Sequence, residues 1–235
     1  MVSEINKTLC TGCGVCESVC PVKCIKMKRD SAGFLYPDID DASCIKCNKC
    51  DMMCHAINKT SKKIDNPIAY IAYNKNEDER MSSSSGGVFA AIAQTIFSMG
   101  GIVYGAAFDD NLAVNHVRIE NEEDIDRLQG SKYVQSTICS DIYVSVKNDL
   151  INGKYVLYSG TPCQIGALKS YLGNEYENLY TVSFICHGVP APFLWHQYCE
   201  WQKQRHNSNI VKASHRSKEH GWVQFSMKLL FSNGE

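Results

Sequence analysis

The 235-residue sequence has no apolar run long enough to cross a bilayer. Its most apolar helical stretch, Val88 to Phe97, falls short of the roughly 20 residues that a span requires. The first nine residues are polar and lead into Cys10, so no export leader is read there and the expected location is the cytoplasm. Charge of one sign is not in excess. Lys and Arg total 24 against 25 Asp and Glu, a formal net charge of -1, so neither nucleic acid nor a membrane surface is suggested as a partner. Nucleotide-loop signatures are missing too: there is no Walker motif and no Rossmann fingerprint.

Cysteine, in contrast, is abundant. The chain has 13, and nine of them fall in the first 54 residues at short regular gaps. Disulfide frameworks belong to small secreted chains, so metal ligation is the better reading. The first set is Cys10, Cys13, Cys16 and Cys20, followed by Pro21; the second is Cys44, Cys47, Cys50 and Cys54. Each member of the second lies 34 positions after its counterpart, so the sets are an internal repeat. The spacing C-x2-C-x2-C-x3-C-P is the bacterial ferredoxin signature. Three cysteines in a tight loop wrap three irons of a cubane, while the fourth starts the following helix and reaches the neighbouring cluster. One 4Fe-4S cluster is therefore assigned to Cys10, Cys13, Cys16 and Cys54, the other to Cys44, Cys47, Cys50 and Cys20.

Zinc is the competing metal, but zinc ribbons use two separated C-x2-C pairs, which a triple run does not suit. Between the sets, Ile25 to Lys28 and Phe34 to Tyr36 flank Ser31-Ala32-Gly33 and read as a hairpin. His55 stands where the signature has proline. Cys24, a ninth cysteine of this region, reads as a small packed thiol. Residues 1–65 hold ten Lys/Arg and eight Asp/Glu, which suits a module tethered to its own partner domain better than a freely diffusing acidic ferredoxin.

Residues 58–66 form a polar linker before Pro67. Ile68 to Tyr73 is then predicted as a strand. Ser82-Ser83-Ser84-Ser85-Gly86-Gly87 precedes a helix over Val88–Phe97 with apolar positions at 88, 92, 96 and at 89, 93, 97; Gly100-Gly101 ends it, and Ile102 to Phe108 is the next strand. Serines cap helices, glycines allow close approach, and a helix N-terminus attracts phosphate, so the Ser/Gly run is either an anion site or a flexible linker. Tyr155 to Tyr158 is a buried strand running into Gly160-Thr161-Pro162-Cys163-Gln164, and Tyr180 to Ile185 ends in Cys186-His187-Gly188. Ligands in open α/β sheets bind at the carboxyl ends of strands; two buried thiols at turns are the alternative.

Four motifs in order resemble the coenzyme F-420 hydrogenase/dehydrogenase family of beta subunits: Ser83 to Phe89, Gly130-Ser131-Lys132-Tyr133, Gly160 to Gln164, and Ile185-Cys186-His187-Gly188. The resemblance covers residues 68–235. Together with the cysteine repeat it gives an α+β chain: a two-cluster ferredoxin domain over 1–65, with repeats at about 1–30 and 35–64, followed by an α/β domain over 66–235 that the resemblance implies is flavin-binding. It implies FAD, with Ser84, Ser85, Gly86 and Gly87 on its phosphates or ribityl chain and Lys132, Tyr133, Gln135, Gly160 and Thr161 near the flavin. His187 is the candidate for proton handling, or a structural histidine at a turn. A further family cluster implies Cys163 and Cys186 as ligands together with a later C-x2-C pair. The sequence ends at Glu235 before such a pair, so the chain is expected to be truncated, with a third cluster only in a longer form.

The activity expected is that of an iron–sulfur flavoprotein oxidoreductase. Its expected partners are a redox protein or ferredoxin and a deazaflavin or other small-molecule redox substrate. The alternatives are an electron-carrier or adaptor subunit without its own catalysis and a zinc-stabilised interaction module.

Overall fold

The computed structural model describes Val2, residues 5–58 and residues 66–235. Most of the expected linker, 59–65, lies outside the described residues. The fold is mixed α+β, in three sheets.

The N-terminal part is small. Helix α1 (Val15–Val19) is followed by an antiparallel hairpin of β1 (Ile25–Arg29) and β2 (Leu35–Ile39), and then by α2 (Lys49–Met52). The hairpin turn falls where the sequence puts it. The Asp30 carboxylate accepts from the Ala32 and Phe34 amides, and Gly33 takes φ 89°, a conformation that favours glycine. The expectation that the fourth cysteine starts a helix is corrected. α1 contains the third cysteine, Cys16, and ends before the fourth, so that Cys20 caps its C-terminus and Pro21 cannot continue it.

The larger part holds α3 (Glu77–Ser82), α4 (Val88–Ser98), β3 (Ile102–Phe108), β4 (Val114–Ile119), α5 (Ser140–Ile151), β5 (Val156–Gly160), α6 (Pro162–Leu172), β6 (Leu179–Ser183), α7 (Pro192–His206), β7 (Ile210–Ser217) and β8 (Ser226–Phe231). Four strands form one sheet in the order β4-β3-β5-β6. Its β3-β5 and β5-β6 pairs are parallel, and β4 is an antiparallel edge. Parallel strands need both faces covered, and they are. Val103 and Leu157 point at α4, while Ile102, Tyr104, Val156 and Tyr158 point at α5 and α6. β7 and β8 form a separate hairpin packed with α7 through Trp195, Cys199, Ile210 and Phe231.

Two local expectations fail. Ile68 to Tyr73 is not a strand. Its large side chains are exposed, Ile71 and Tyr70 most of all, and it pairs with no strand among the described residues, so β-favouring composition alone does not form a ladder. In α4 the buried stripe is Ala90, Ala93 and Ile96, because small residues allow close approach to the sheet, whereas Val88 is exposed. Among the described residues no helix is long and apolar enough to cross a membrane.

At the far side of the sheet, Asp149 takes a bidentate contact from Arg118 at 2.7 and 3.0 Å and the Tyr104 hydroxyl at 2.5 Å. Burial opposes its charge, but these donors hold its carboxyl below the ordinary range. The stabilisation is thus present above about pH 4 and lost as the pH falls through the depressed folded value. Asp149→Asn is expected to lower the unfolding free energy by about 1.5–3 kcal/mol, read from the denaturant midpoint.

Candidate functional site

The first thiol set is built by a loop and a single helical turn. Gly12 and Gly14 adopt φ 66° and 77°, letting the chain wind tightly between Cys10 and Cys16. A cavity there is lined by Cys10, Cys13, Cys16 and Cys54 together with apolar residues such as Ile5 and Val15. Cys54 thus joins the loop from a distant position in sequence. The amides of Gly12, Val15 and Glu17 donate to Cys10, Cys13 and Cys16 respectively. Such N–H···S contacts suit thiolates bound to a cluster. Burial pushes the Cys13 thiol up to about 11 and raises Cys16 further, so ionised ligands need the positive charge of iron beside them. The four thiols, the cavity and the inward amides fit a 4Fe-4S cluster. Among the described residues no three His, Cys, Asp or Glu side chains converge on the position of a single metal ion.

The second set is more exposed. Cys20 and Cys24 bring their Sγ atoms to 3.5 Å, and Cys24 also meets Cys44. Cys50 interacts with Cys47. Cys20 therefore sits with the second loop's Cys44. Cys24 is buried beside both, in keeping with its reading as a small packed thiol.

The cluster loop is docked on the larger part. The Tyr143 hydroxyl donates to the Cys13 carbonyl at 2.7 Å, and the Ser170 hydroxyl to the Met53 carbonyl at 2.5 Å. Val15 and Val19 belong to the same buried core as Tyr143, Tyr158 and Leu168. His55, in place of the signature proline, packs beside Gly166 of α6. There a Cβ would sit in ordinary contact with the ring, so this packing accepts a small side chain and does not require glycine.

The expected flavin residues are placed in three groups. Ser84 accepts from Ser131 at 2.9 Å, which joins the Ser/Gly loop to the Gly130-Ser131-Lys132-Tyr133 segment. Gly86 and Gly87 lie against residues of their own chain: a Cβ on Gly86 would come within 2.9 Å of the Ala72 carbonyl, so close packing of 72–74 is one reason for glycine there. Lys132 is held by the carbonyls of Gln129 and Gly130, and burial lowers it to about 8. Lys218, absent from every motif, reaches the carbonyls of Arg80 and Ser85 and lies 3.7 Å from the Trp222 ring centre. Lys218 and the amino end of α4 thus put positive charge at this loop, a setting that suits an anion. Tyr133 stacks on His215, whose Nδ1 accepts the Tyr133 amide at 2.9 Å.

Gln135 belongs elsewhere: its Nε2 donates to the Thr11 carbonyl in the cluster loop. Gly160 and Thr161 lie at the carboxyl end of β5. Thr161 caps α6 in a reciprocal box with Gln164, and its hydroxyl is 3.1 Å from the Cys163 Sγ. Beside Gly160, buried His116 is held by the Ser136 hydroxyl at 2.7 Å and the Ser159 carbonyl at 3.2 Å. Cys186 and His187 are exposed on the loop after β6, where the Cys186 Sγ accepts from the Gly188 amide. A cleft of about 390 Å³ opens between the hairpin turn and α7, lined by Arg29, Leu112, Gln135, Phe193, Trp195 and Lys203 among others.

Residues 3–26 match the 4Fe-4S binding domain, and residues 153–231 match the model of the C terminus of the coenzyme F420 hydrogenase/dehydrogenase beta subunit. These matches support the resemblance of the chain to the coenzyme F-420 hydrogenase/dehydrogenase family of beta subunits. The chain is 25% identical over 194 residues to the F subunit of F(420)H(2) dehydrogenase from Methanosarcina mazei, covering 76% of the chain and 53% of the relative. It is 26% identical over 202 residues to an uncharacterized protein of Methanocaldococcus jannaschii, covering 72% and 54%. The chain thus spans about half the length of the curated relatives it matches. Among solved structures, a chain of the F420-reducing NiFe hydrogenase complex from Methanosarcina barkeri superposes with a TM-score of 0.45 at 16% identity, over 69% of this chain and 56% of that one.

Proposed function

We propose that the chain is an electron-transfer oxidoreductase subunit that passes electrons between FAD and 4Fe-4S clusters, with a deazaflavin or another small molecule as redox substrate. The observation that carries this reading is the cavity ringed by Cys10, Cys13, Cys16 and Cys54, in a loop tied to α5 through Tyr143 and the Cys13 carbonyl. Cys10, Cys13, Cys16 and Cys54 would hold one cluster; Cys44, Cys47, Cys50 and Cys20 would hold the other. When bound, clusters supply one-electron transfer and FAD supplies exchange between a hydride and single electrons.

Ser84, Ser85 and the amides at Gly86 and Gly87 would receive the anionic part of FAD, with Lys132 and Lys218 balancing its charge. Tyr133, Gly160 and Thr161 would orient the remainder, and Gln135 would join that region to the cluster loop. His187 has the solvent access that a proton carrier needs. The cleft beside Gln135 is the place for a small-molecule substrate, since it combines aromatic walls with a few polar groups. A redox protein or ferredoxin would be the partner. Cys163 and Cys186 would be two of the ligands of a third cluster.

The test is anaerobic reconstitution with iron, sulfide and FAD, followed by acid release of the flavin. About one FAD per chain is expected. Lys132→Met is expected to weaken FAD binding about tenfold, close to 1.4 kcal/mol. Iron-loaded protein that retains no FAD would point instead to an electron-carrier or adaptor subunit.

A further inference from the structure

Four buried side-chain polar atoms have no hydrogen-bond partner among the described residues: Thr11 Oγ1, Gln135 Oε1, Tyr158 OH and Arg216 Nε. Buried polar groups are nearly always paired, so each such atom calls for a reason. Thr11 lines the Cys10–Cys54 cavity, and Gln135 bonds the Thr11 carbonyl. Tyr158 comes from β5 and is fully buried. It shares a core with Val15 and Val19, the two residues that flank Cys16 in α1, and Cys13 packs against that same core. The ring is fixed on both sides, by Tyr104 at 6.2 Å and His116 at 5.2 Å between ring centres. Its neighbour Tyr143 spends its hydroxyl on the Cys13 carbonyl, but Tyr158 has nothing. An iron–sulfur cluster presents sulfur acceptors, which suit a hydroxyl and do not suit the amide oxygen of Gln135.

We propose that the Tyr158 hydroxyl donates a hydrogen bond to the sulfur shell of the cluster held by Cys10, Cys13, Cys16 and Cys54, and so holds that cluster's reduction potential up. This rests on the cluster assignment given above. Reduction adds one negative charge to the cluster. A donor dipole stabilises the more negative state, and removing it moves the midpoint to a more negative value. Tyr158 belongs to the larger part of the chain, so it is a positioning residue through which docking, and not the cluster loop alone, sets the potential.

The experiment compares the wild-type chain with Tyr158→Phe, each reconstituted anaerobically, by iron and sulfide analysis and by redox titration followed by electron paramagnetic resonance. Phenylalanine keeps the ring stack and removes an unpaired hydroxyl, so the iron-free variant should melt no lower than wild type. The expected result is unchanged iron content with one midpoint moved negative and the other in place. Tyr143→Phe, whose hydroxyl is already committed to a carbonyl, should move the same midpoint less. Full iron loading with both midpoints unmoved in Tyr158→Phe overturns the proposal. So does a shift that vanishes when Cys163 is also replaced by serine, since the acceptor would then lie at α6. A wild-type chain that takes up no iron overturns the cluster reading itself.

Discussion

Cys54→Ser is expected to lower the iron content of the reconstituted chain from about eight to about four per molecule, because one of two four-iron clusters is lost. The same loss should follow from Cys16→Ser, although 38 positions separate the two residues. A Cys16→Ser/Cys54→Ser double variant should lose no more than either single one. Cys20→Ser should remove the other cluster, and combining it with Cys54→Ser should leave almost none. The reason is geometric. Cys54 lines a cavity with Cys10, Cys13 and Cys16, whereas Cys20 lies beside Cys24 and Cys44. Iron and sulfide analysis with visible absorption reads the outcome. Additive loss from Cys16→Ser and Cys54→Ser would mean that each serves a different cluster.

The second large effect concerns acid. His116 is 4% exposed between the Ser136 hydroxyl and the Ser159 carbonyl, and burial lowers it to about 4. The unfolded chain titrates this group near 6.5. Between those values the unfolded state binds the extra proton, so stability is fully present above about pH 6.5 and is lost as the pH falls toward 4. Integrated from pH 7.5 to 5.5 the loss is about 1.4 kcal/mol, a tenfold change in the folding equilibrium. His116→Gln keeps amide groups for the same two partners and removes the titration. It should start less stable at pH 7.5 and change less over that interval. Urea unfolding of both proteins at the two pH values checks this. Equal losses would show that His116 keeps its ordinary titration in the folded chain.

The parts legible in the sequence are those where local chemistry leaves few options. Ligands of a four-iron cluster must return at short fixed intervals, so the thiol sets are visible as a repeat. The strand Ile102–Phe108 and the hairpin around Asp30 and Gly33 follow from equally local rules. The docking of the two parts was not legible. Val15 and Val19 occupy one face of a five-residue helix, too short to show periodicity, and nothing near Tyr143 or Tyr158 marks their cysteine neighbours. Lys218 and His215 reach the Ser/Gly and Lys132 segments from β7 and the turn after it, far along the chain and outside any motif. Ile68 to Tyr73 shows the opposite failure, strand-like composition without a strand to pair with.

The shared core around Val15 and Val19 also bears on how such a chain can be recombined. A ferredoxin grafted in place of the N-terminal part would bring its own thiols but not this face. It would need two apolar side chains one helical turn apart, a loop carbonyl within reach of the Tyr143 hydroxyl, and a side chain that packs beside Gly166 as His55 does. Interchangeability here is a property of surface match, and cysteine spacing alone is a poor guide to it.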